Sequence, residues 1–223
     1  MRRSLYRLLV LLALAIGYLL LFPVPTRKEL AVERLWAASV TSDTPPQEWA
    51  NTSGTEIIPF LFPDVHGYLD PDGTLLFRGR VSHGIALSDD GFVSYGRVPD
   101  QLVIQQPDGK YQATVGVAGY PTFADGRLYV SDRSDSTVGC YEASGNHLWT
   151  IELPGTLSAI AGAPGLSALG MLAGGVMAVE PDGTQLAVEG ADNPFATTVY
   201  GVAVDEEGER IAAVVGPSEP SVI

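Results

Sequence analysis

The sequence predicts an all-β fold: a β-propeller of four-stranded antiparallel blades, about four of them visible and the last incomplete, behind an N-terminal transmembrane helix. Three observations carry that prediction. Glycine-centred turns recur at a fixed period, short apolar runs separate them, and a charge-free apolar stretch stands near the start of the chain.

The turns come in two interleaved series. The first is DPDG at Asp70–Gly73, QPDG at Gln106–Gly109, EASG at Glu142–Gly145 and EPDG at Glu180–Gly183, with glycines spaced 36, 36 and 38 residues apart. The second is SDDG ending at Gly91, FADG at Gly126, the degenerate APG at Gly165 and DEEG at Gly208, spaced 35, 39 and 43. Two turn families alternating at a period near 40, each flanked by short runs such as GIAL, RLYV, GVMAV and RIAAVV, describe a four-stranded unit repeated in tandem. Asp-Gly supplies the positive φ that tight hairpins require, so Gly73, Gly109 and Gly183 are expected at such positions. Glycine-rich runs such as GMLAGGVMAV suit inner strands, where backbones crowd toward an axis. A β-sandwich would not repeat its turn sequence at 36, 36 and 38, and solenoid repeats are shorter. Glycine and proline together make 41 of 223 residues, which fits a turn-rich chain with few long helices.

Residues 8–24 (LLVLLALAIGYLLLFPV) carry no charge and follow Arg2, Arg3 and Arg7. At about 1.5 Å per residue such a helix just crosses a hydrocarbon core. No small-x-small cleavage site follows, so an uncleaved signal anchor is preferred to a cleaved signal peptide. The positive-inside rule puts residues 1–7 in the cytoplasm and the body on the extracytoplasmic, periplasmic side of the inner membrane. Residues 25–59 are assigned as a linker and 60–223 as the repeats. The sole cysteine, Cys140, allows neither an intrachain disulfide nor a lipid attachment just after a signal.

Of the 13 basic residues, five precede Glu29, whereas all 26 acidic ones lie from Glu29 onward, which leaves residues 29–223 at a net −18. A body so acidic repels phosphate backbones, and nucleic-acid binding is excluded.

The stretch ADGRLYVSDRSDSTVGCYEASGNHLWTIELPG, Ala124 to Gly155, resembles one repeat of the pyrroloquinoline-quinone-type propellers. Its DGRLYV reads as an inner strand and its Cys-Tyr-x-x-x-Ser-Gly-x-x-Leu-Trp as an outer hairpin. The likeness is looser in the other repeats, where the position of Trp149 reads Phe77, Thr114 and Ala187. Gly84–Gly91 and Gly201–Arg210 look instead like bacterial WD40-like repeats, without a closing Trp-Asp pair. The resemblance implies the architecture; its families hold both quinoprotein dehydrogenases and non-enzymatic envelope scaffolds.

Chemistry-bearing motifs are sparse. His66, His83 and His147 are not at metal-ligand spacing, and Cys140 has no CxxC partner, so His83 and Cys140 are expected to be structural. Gly165-Leu166-Ser167-Ala168 begins like a nucleophile elbow, but Leu169 replaces the second glycine. Asp70 with Asp72, Asp89 with Asp90, Asp132 with Asp135, and Asp205 with Glu206 and Glu207 could offer oxygens to calcium, yet none follows an EF-hand pattern; solvated turns are the expected role. The sequence therefore assigns no catalytic, cofactor-binding or metal residue and no cofactor. It favours a membrane-anchored binding or scaffold module of the cell envelope with a protein partner. The alternative is a propeller enzyme, a hydrolase, lyase or quinoprotein, with its catalytic groups outside the recognisable motifs.

Counting periods leaves the last repeat 15 residues beyond Gly208. The expectation is a piece of a longer propeller. A closed four-bladed ring is the alternative, and it would place residues 67–79 against residues 198–216.

Overall fold

The computed structural model describes residues 12, 18, 36–37, 56–189, 198–216 and 221–222. The chain divides into two compact units, Met1–Leu35 and Trp36–Ile223. Of the first, only Leu12 and Tyr18 are described, both helical and both exposed. The rest of the expected membrane span, 8–24, lies outside the described residues, as does most of the linker. Among the described residues no helix is long and apolar enough to cross a membrane.

The second unit is all β. Its strands are β1 (Ile58–Leu61), β2 (Val65–Leu69) and β3 (Leu75–Arg80); β4 (Gly84–Leu87), β5 (Phe92–Tyr95), β6 (Leu102–Gln105) and β7 (Tyr111–Val115); β8 (Tyr120–Ala124), β9 (Arg127–Ser131), β10 (Thr137–Glu142) and β11 (His147–Glu152). There follow β12 (Leu157–Ala163), β13 (Leu166–Met171), β14 (Val176–Val179) and β15 (Gln185–Glu189), then β16 (Thr198–Val204), β17 (Ile211–Gly216) and β18 (Ser221–Val222). Each of these five groups is one antiparallel sheet whose strands pair in chain order, three with four strands and the first and last with three. The strand and sheet pattern is that of propeller blades.

The count is five sheets rather than about four because the blade frame differs from the one the turns suggested. The first strands β4, β8, β12 and β16 are the ones that neighbour each other from sheet to sheet, so they line the inside. The second turn series therefore joins first to second strands, and the first series joins third to fourth. In that frame β1–β3 are a second, third and fourth strand, and β16–β18 a first, second and third. RLYV is thus a second strand, not the innermost. GMLAGGVMAV spans the hairpin between β13 and β14, where Gly174 and Gly175 take positive φ at the turn.

The outer turns repeat one geometry. Gly73, Gly109, Gly145 and Gly183 have φ between 83° and 91°. Each donates its N–H to the carbonyl three residues back, on Asp70, Gln106, Glu142 and Glu180. A bulge sits at the same place in each of these four outer hairpins, between Tyr68 and Leu69, Ile104 and Gln105, Cys140 and Tyr141, and Ala178 and Val179. A type I turn closed by a left-handed glycine and a bulge produces this arrangement. Of the inner turns, that at Asp125-Gly126 has both residues left-handed, at 48° and 65°, as the two-residue hairpin requires.

The core lies between sheets. Along β9, Leu128 and Val130 join Leu102, Ile104, Ala113 and Val115 of the second sheet, while Tyr129 points the other way into a cluster with Trp149, Leu169, Met171 and Met177. The period-2 alternation of a strand sends successive side chains to opposite faces, and in a stack of sheets both faces are covered. That is why β13 is buried at all six positions. Fully burying a side chain such as Leu or Met contributes about 1.5–3 kcal/mol.

Among the described residues, β1–β3 and β16–β18 are separate sheets with no ladder between them. The closed four-bladed alternative expects residues 67–79 against residues 198–216, and among the described residues no ladder joins them.

Candidate functional site

Strand alternation places the inner and outer turns at the same end of every sheet. There, between the first three sheets, lies a cavity of about 600 Å³. Its walls are Ile57 and Pro59 from the edge of the first sheet, the Leu87–Asp90 turn of the second and the Phe123–Gly126 turn of the third. Leu87, Phe123 and the first-sheet residues give it an apolar floor, and Asp89, Asp90 and Asp125 give it three carboxylates. Among the described residues no basic one lines it.

The turns are built to bring those carboxylates together. Ser88 N–H and Oγ–H both donate to Gly91 O, at 2.9 and 3.1 Å, and Ser88 Oγ accepts from Asp90 N–H at 3.2 Å. On the neighbouring turn, a β-carbon on Gly126 would stand 3.2 Å from Asp90 Oδ2, so glycine lets the carboxylate close on the adjacent blade. Partial burial, then the charges of Asp89 and Asp125, push the Asp90 carboxyl above its ordinary range. Tyr68, wholly buried behind the turn, has its phenol raised by burial and by Asp89 and Asp90, and stays protonated at neutral pH. Beside it, His66 packs on Phe92 at 4.8 Å and Phe77 at 5.9 Å between ring centroids. Both His66 ring nitrogens are buried without a hydrogen-bond partner, and burial lowers its pKa, so the imidazole is neutral.

Other residues singled out from the sequence are dispersed. His83 is exposed between β3 and β4, and His147 is exposed with Nε2 2.8 Å from Thr150 Oγ1. Cys140 is fully buried, and burial pushes its thiol up to about 11, which leaves it unreactive. Ser167 is buried in the β12–β13 hairpin and shares a 2.7 Å hydrogen bond with Tyr129 Oη, far from the geometry of a nucleophile elbow. Asp70 Oδ1 accepts from Thr74 N–H at 2.7 Å, Asp132 Oδ1 from Ser136 and Thr137 N–H, and Asp205 Oδ1 from Glu209 and Arg210 N–H. Among the described residues no group of three or more His, Cys, Asp or Glu is placed to hold a metal ion.

Asp125 was missed as a member of the site. Its signal was the repeat itself: SDDG and FADG are the same turn in consecutive blades, 35 residues apart, and equivalent turns fall side by side.

Comparison with known proteins follows the architecture. A family model described as "beta-propeller protein" matches residues 2–223. An uncharacterised protein of Treponema pallidum (strain Nichols) is 23% identical over 217 residues, covering 93% of this chain and 57% of its own length. The chain thus spans little more than half of that relative. The structure of Kluyveromyces lactis Hsv2p superposes with a TM-score of 0.57 at 14% identity, over 76% of this chain and 58% of that one. BBS1N, solved in complex with ARL6DN, gives 0.50 at 14% identity over 71% and 56%. Identities this low show a common fold and nothing finer.

Proposed function

The chain belongs to a family of β-propeller proteins, and from that premise we propose that it is a binding or scaffold module of the cell envelope whose acidic cleft receives a cationic segment of a protein partner. The observation that carries this reading is the cleft: Asp89, Asp90 and Asp125 converge over an apolar floor with no basic residue among those lining it. Like charges held together in a partly desolvated site raise each other's energy, and an arriving Lys or Arg relieves it while its aliphatic stem covers Leu87 and Phe123. BBS1N, of similar fold, was solved in complex with ARL6DN, which is in keeping with a macromolecular partner here.

The envelope location rests on residues 8–24, a charge-free run behind three arginines. In this reading the run is a single-pass inner-membrane anchor and the propeller is extracytoplasmic. Removing residues 1–25 and fractionating the cells tests the anchor: release into the soluble fraction supports it, and retention through alkaline washing contradicts it.

The cleft is tested by fluorescence anisotropy with a labelled Lys/Arg-rich peptide, using the full chain and the Asp89→Asn/Asp90→Asn/Asp125→Asn variant. Binding that weakens with added salt and disappears in the variant supports the reading. Equal binding by both chains overturns it.

A further inference from the structure

His66 departs from the repeat at a buried position. Tyr68 pairs with Phe77, Ile104 with Ala113 and Cys140 with Trp149, each just before the bulge, so Ala113 and not the expected Thr114 is the counterpart of Trp149. Two residues earlier in the same ladders, Leu102 pairs with Val115 and Val138 with Ile151, all four buried and aliphatic. In the first sheet that step is His66 opposite Gly79. The two departures belong together. A β-carbon on Gly79 would collide with His66 Cε1 and stand 2.7 Å from Nε2, so the imidazole fills the space that the glycine leaves.

The ring is sealed into the junction between the first and second sheets. His66 is 2% exposed, and Phe92 of β5 and Phe77 of β3 cover it with ring planes tilted by 59° and 53°. Rings tilted so far offer a cation little of their faces. Leu61 of β1 stands opposite it. Tyr68 is the titratable side chain on the same face of β2, while Arg78 and Arg80 of β3 pair with Gly67 and Val65 and take the other face. Tyr95 of β5 turns to Gly84 and Tyr120. Asp89 and Asp90 of the β4–β5 turn act on Tyr68, whereas burial alone moves His66. Both ring nitrogens already lack a hydrogen-bond partner, and protonation would add a charge and a second N–H to the same sealed space. A proton therefore enters only when the junction opens. The junction also carries the cleft: Phe92, itself 2% exposed, directly follows Gly91, whose carbonyl closes the turn on Ser88.

We propose that His66 is an acid-operated latch on the cleft. A proton on its imidazole drives the ring from between Phe77, Phe92 and Gly79, Phe92 loses its seat, and the Ser88–Gly91 turn that it anchors moves away from Asp125. The latch rests on the reading of the cleft as the partner site, and it makes release of the cationic segment a response to mild acid.

Hydrogen–deuterium exchange of the full chain and of His66→Leu, read by mass spectrometry near pH 7.5 and near pH 5.5, tests the latch. Comparing the two chains at each pH cancels the intrinsic pH dependence of exchange. A histidine that titrates at its ordinary 6.5 once exposed enlarges the open population about tenfold between those two values. Exchange of Ser88–Val93 in the unsubstituted chain, relative to His66→Leu, should therefore rise about tenfold on acidification, while the Glu142–Asn146 turn keeps a constant ratio. No rise at Ser88–Val93, or an equal rise at Glu142–Asn146, would overturn the latch. Should His66→Leu fail to fold, the same rise is read within the unsubstituted chain as the ratio of the two segments. Anisotropy with the labelled Lys/Arg-rich peptide separates this from the cleft itself. Peptide bound near pH 7.5 with no rise in exchange overturns the latch and keeps the cleft; a rise in exchange with no peptide bound overturns the cleft reading, and the latch's role with it.

Discussion

The inner and outer turns lie at the same end of the sheets, and their aspartates meet different fates. In the outer turns, Asp108 accepts from Lys110 N–H at 2.9 Å and pairs with its ammonium at 2.7 Å, and Asp182 accepts from Thr184 N–H at 2.8 Å. Hydrogen bonding holds both carboxyls below their ordinary range, and for Asp108 it outweighs the opposing effect of desolvation. In the cleft, Asp90 is raised instead, by desolvation and by two like charges. The inner turn at Gly208 sides with the outer ones, since Asp205 is lowered by the backbone N–H groups of Arg210 and Glu209. The distinction is thus not between inner and outer position. It is between a carboxylate that closes its own turn and one aimed across a gap at a neighbouring blade.

The largest expected effect belongs to the stacking side of that comparison. Trp149 is 5% exposed, packs Tyr129 edge-on at 6.0 Å between ring centroids and lies under Gly183. Trp149→Ala should cost about 3–5 kcal/mol in denaturant unfolding, and a wild-type midpoint would remove it from the core. Next come the turn glycines. Gly208→Ala meets only backbone strain, its nearest atoms being 3.4 Å away, and should cost about 1 kcal/mol. Gly183→Ala adds a 2.8 Å clash with Trp149, so it should cost clearly more. Equal costs in the two would mean that the socket yields freely.

Smaller effects come from titration. His66 is lowered below its ordinary 6.5, so the unfolded chain binds a proton that the folded chain refuses. Its contribution is whole above pH 6.5 and declines as pH falls below it. Thermal melts should show that decline, and His66→Met should flatten it; an unchanged profile would contradict burial of a neutral imidazole. For Asp90 the sign is opposite. A raised carboxyl favours the folded state when protonated and disfavours it once ionised. Asp90→Asn should raise the melting temperature at neutral pH, with the gain vanishing as pH falls through the carboxylate range. Asp182→Asn should lower it slightly at neutral pH.

The blades were legible because their turns carry their own chemistry: Pro-Asp-Gly and Asp-Gly write a hairpin locally, and period exposes the repeat. The frame was not legible. Which strand lies innermost depends on contacts between β4, β8, β12 and β16, and GIAL or RLYV alone cannot reveal it. Ala113, rather than the expected Thr114, was legible from the turn: Phe77, Trp149 and Ala187 each stand four residues after their turn glycine, and the same count from Gly109 reaches Ala113. The site was half legible. Asp89 and Asp90 stood out as neighbours, whereas Asp125 joins them only through the stacking of blades.

That the cleft holds carboxylates with no basic residue among those described as lining it is tested most directly by following the Asp90 carboxyl carbon through a pH titration by NMR, in the unsubstituted chain and in Asp125→Asn. Asp90 should titrate above Asp182, and removal of the Asp125 charge should bring it down. An Asp90 that titrates at or below Asp182, or one indifferent to Asp125→Asn, would contradict the claim.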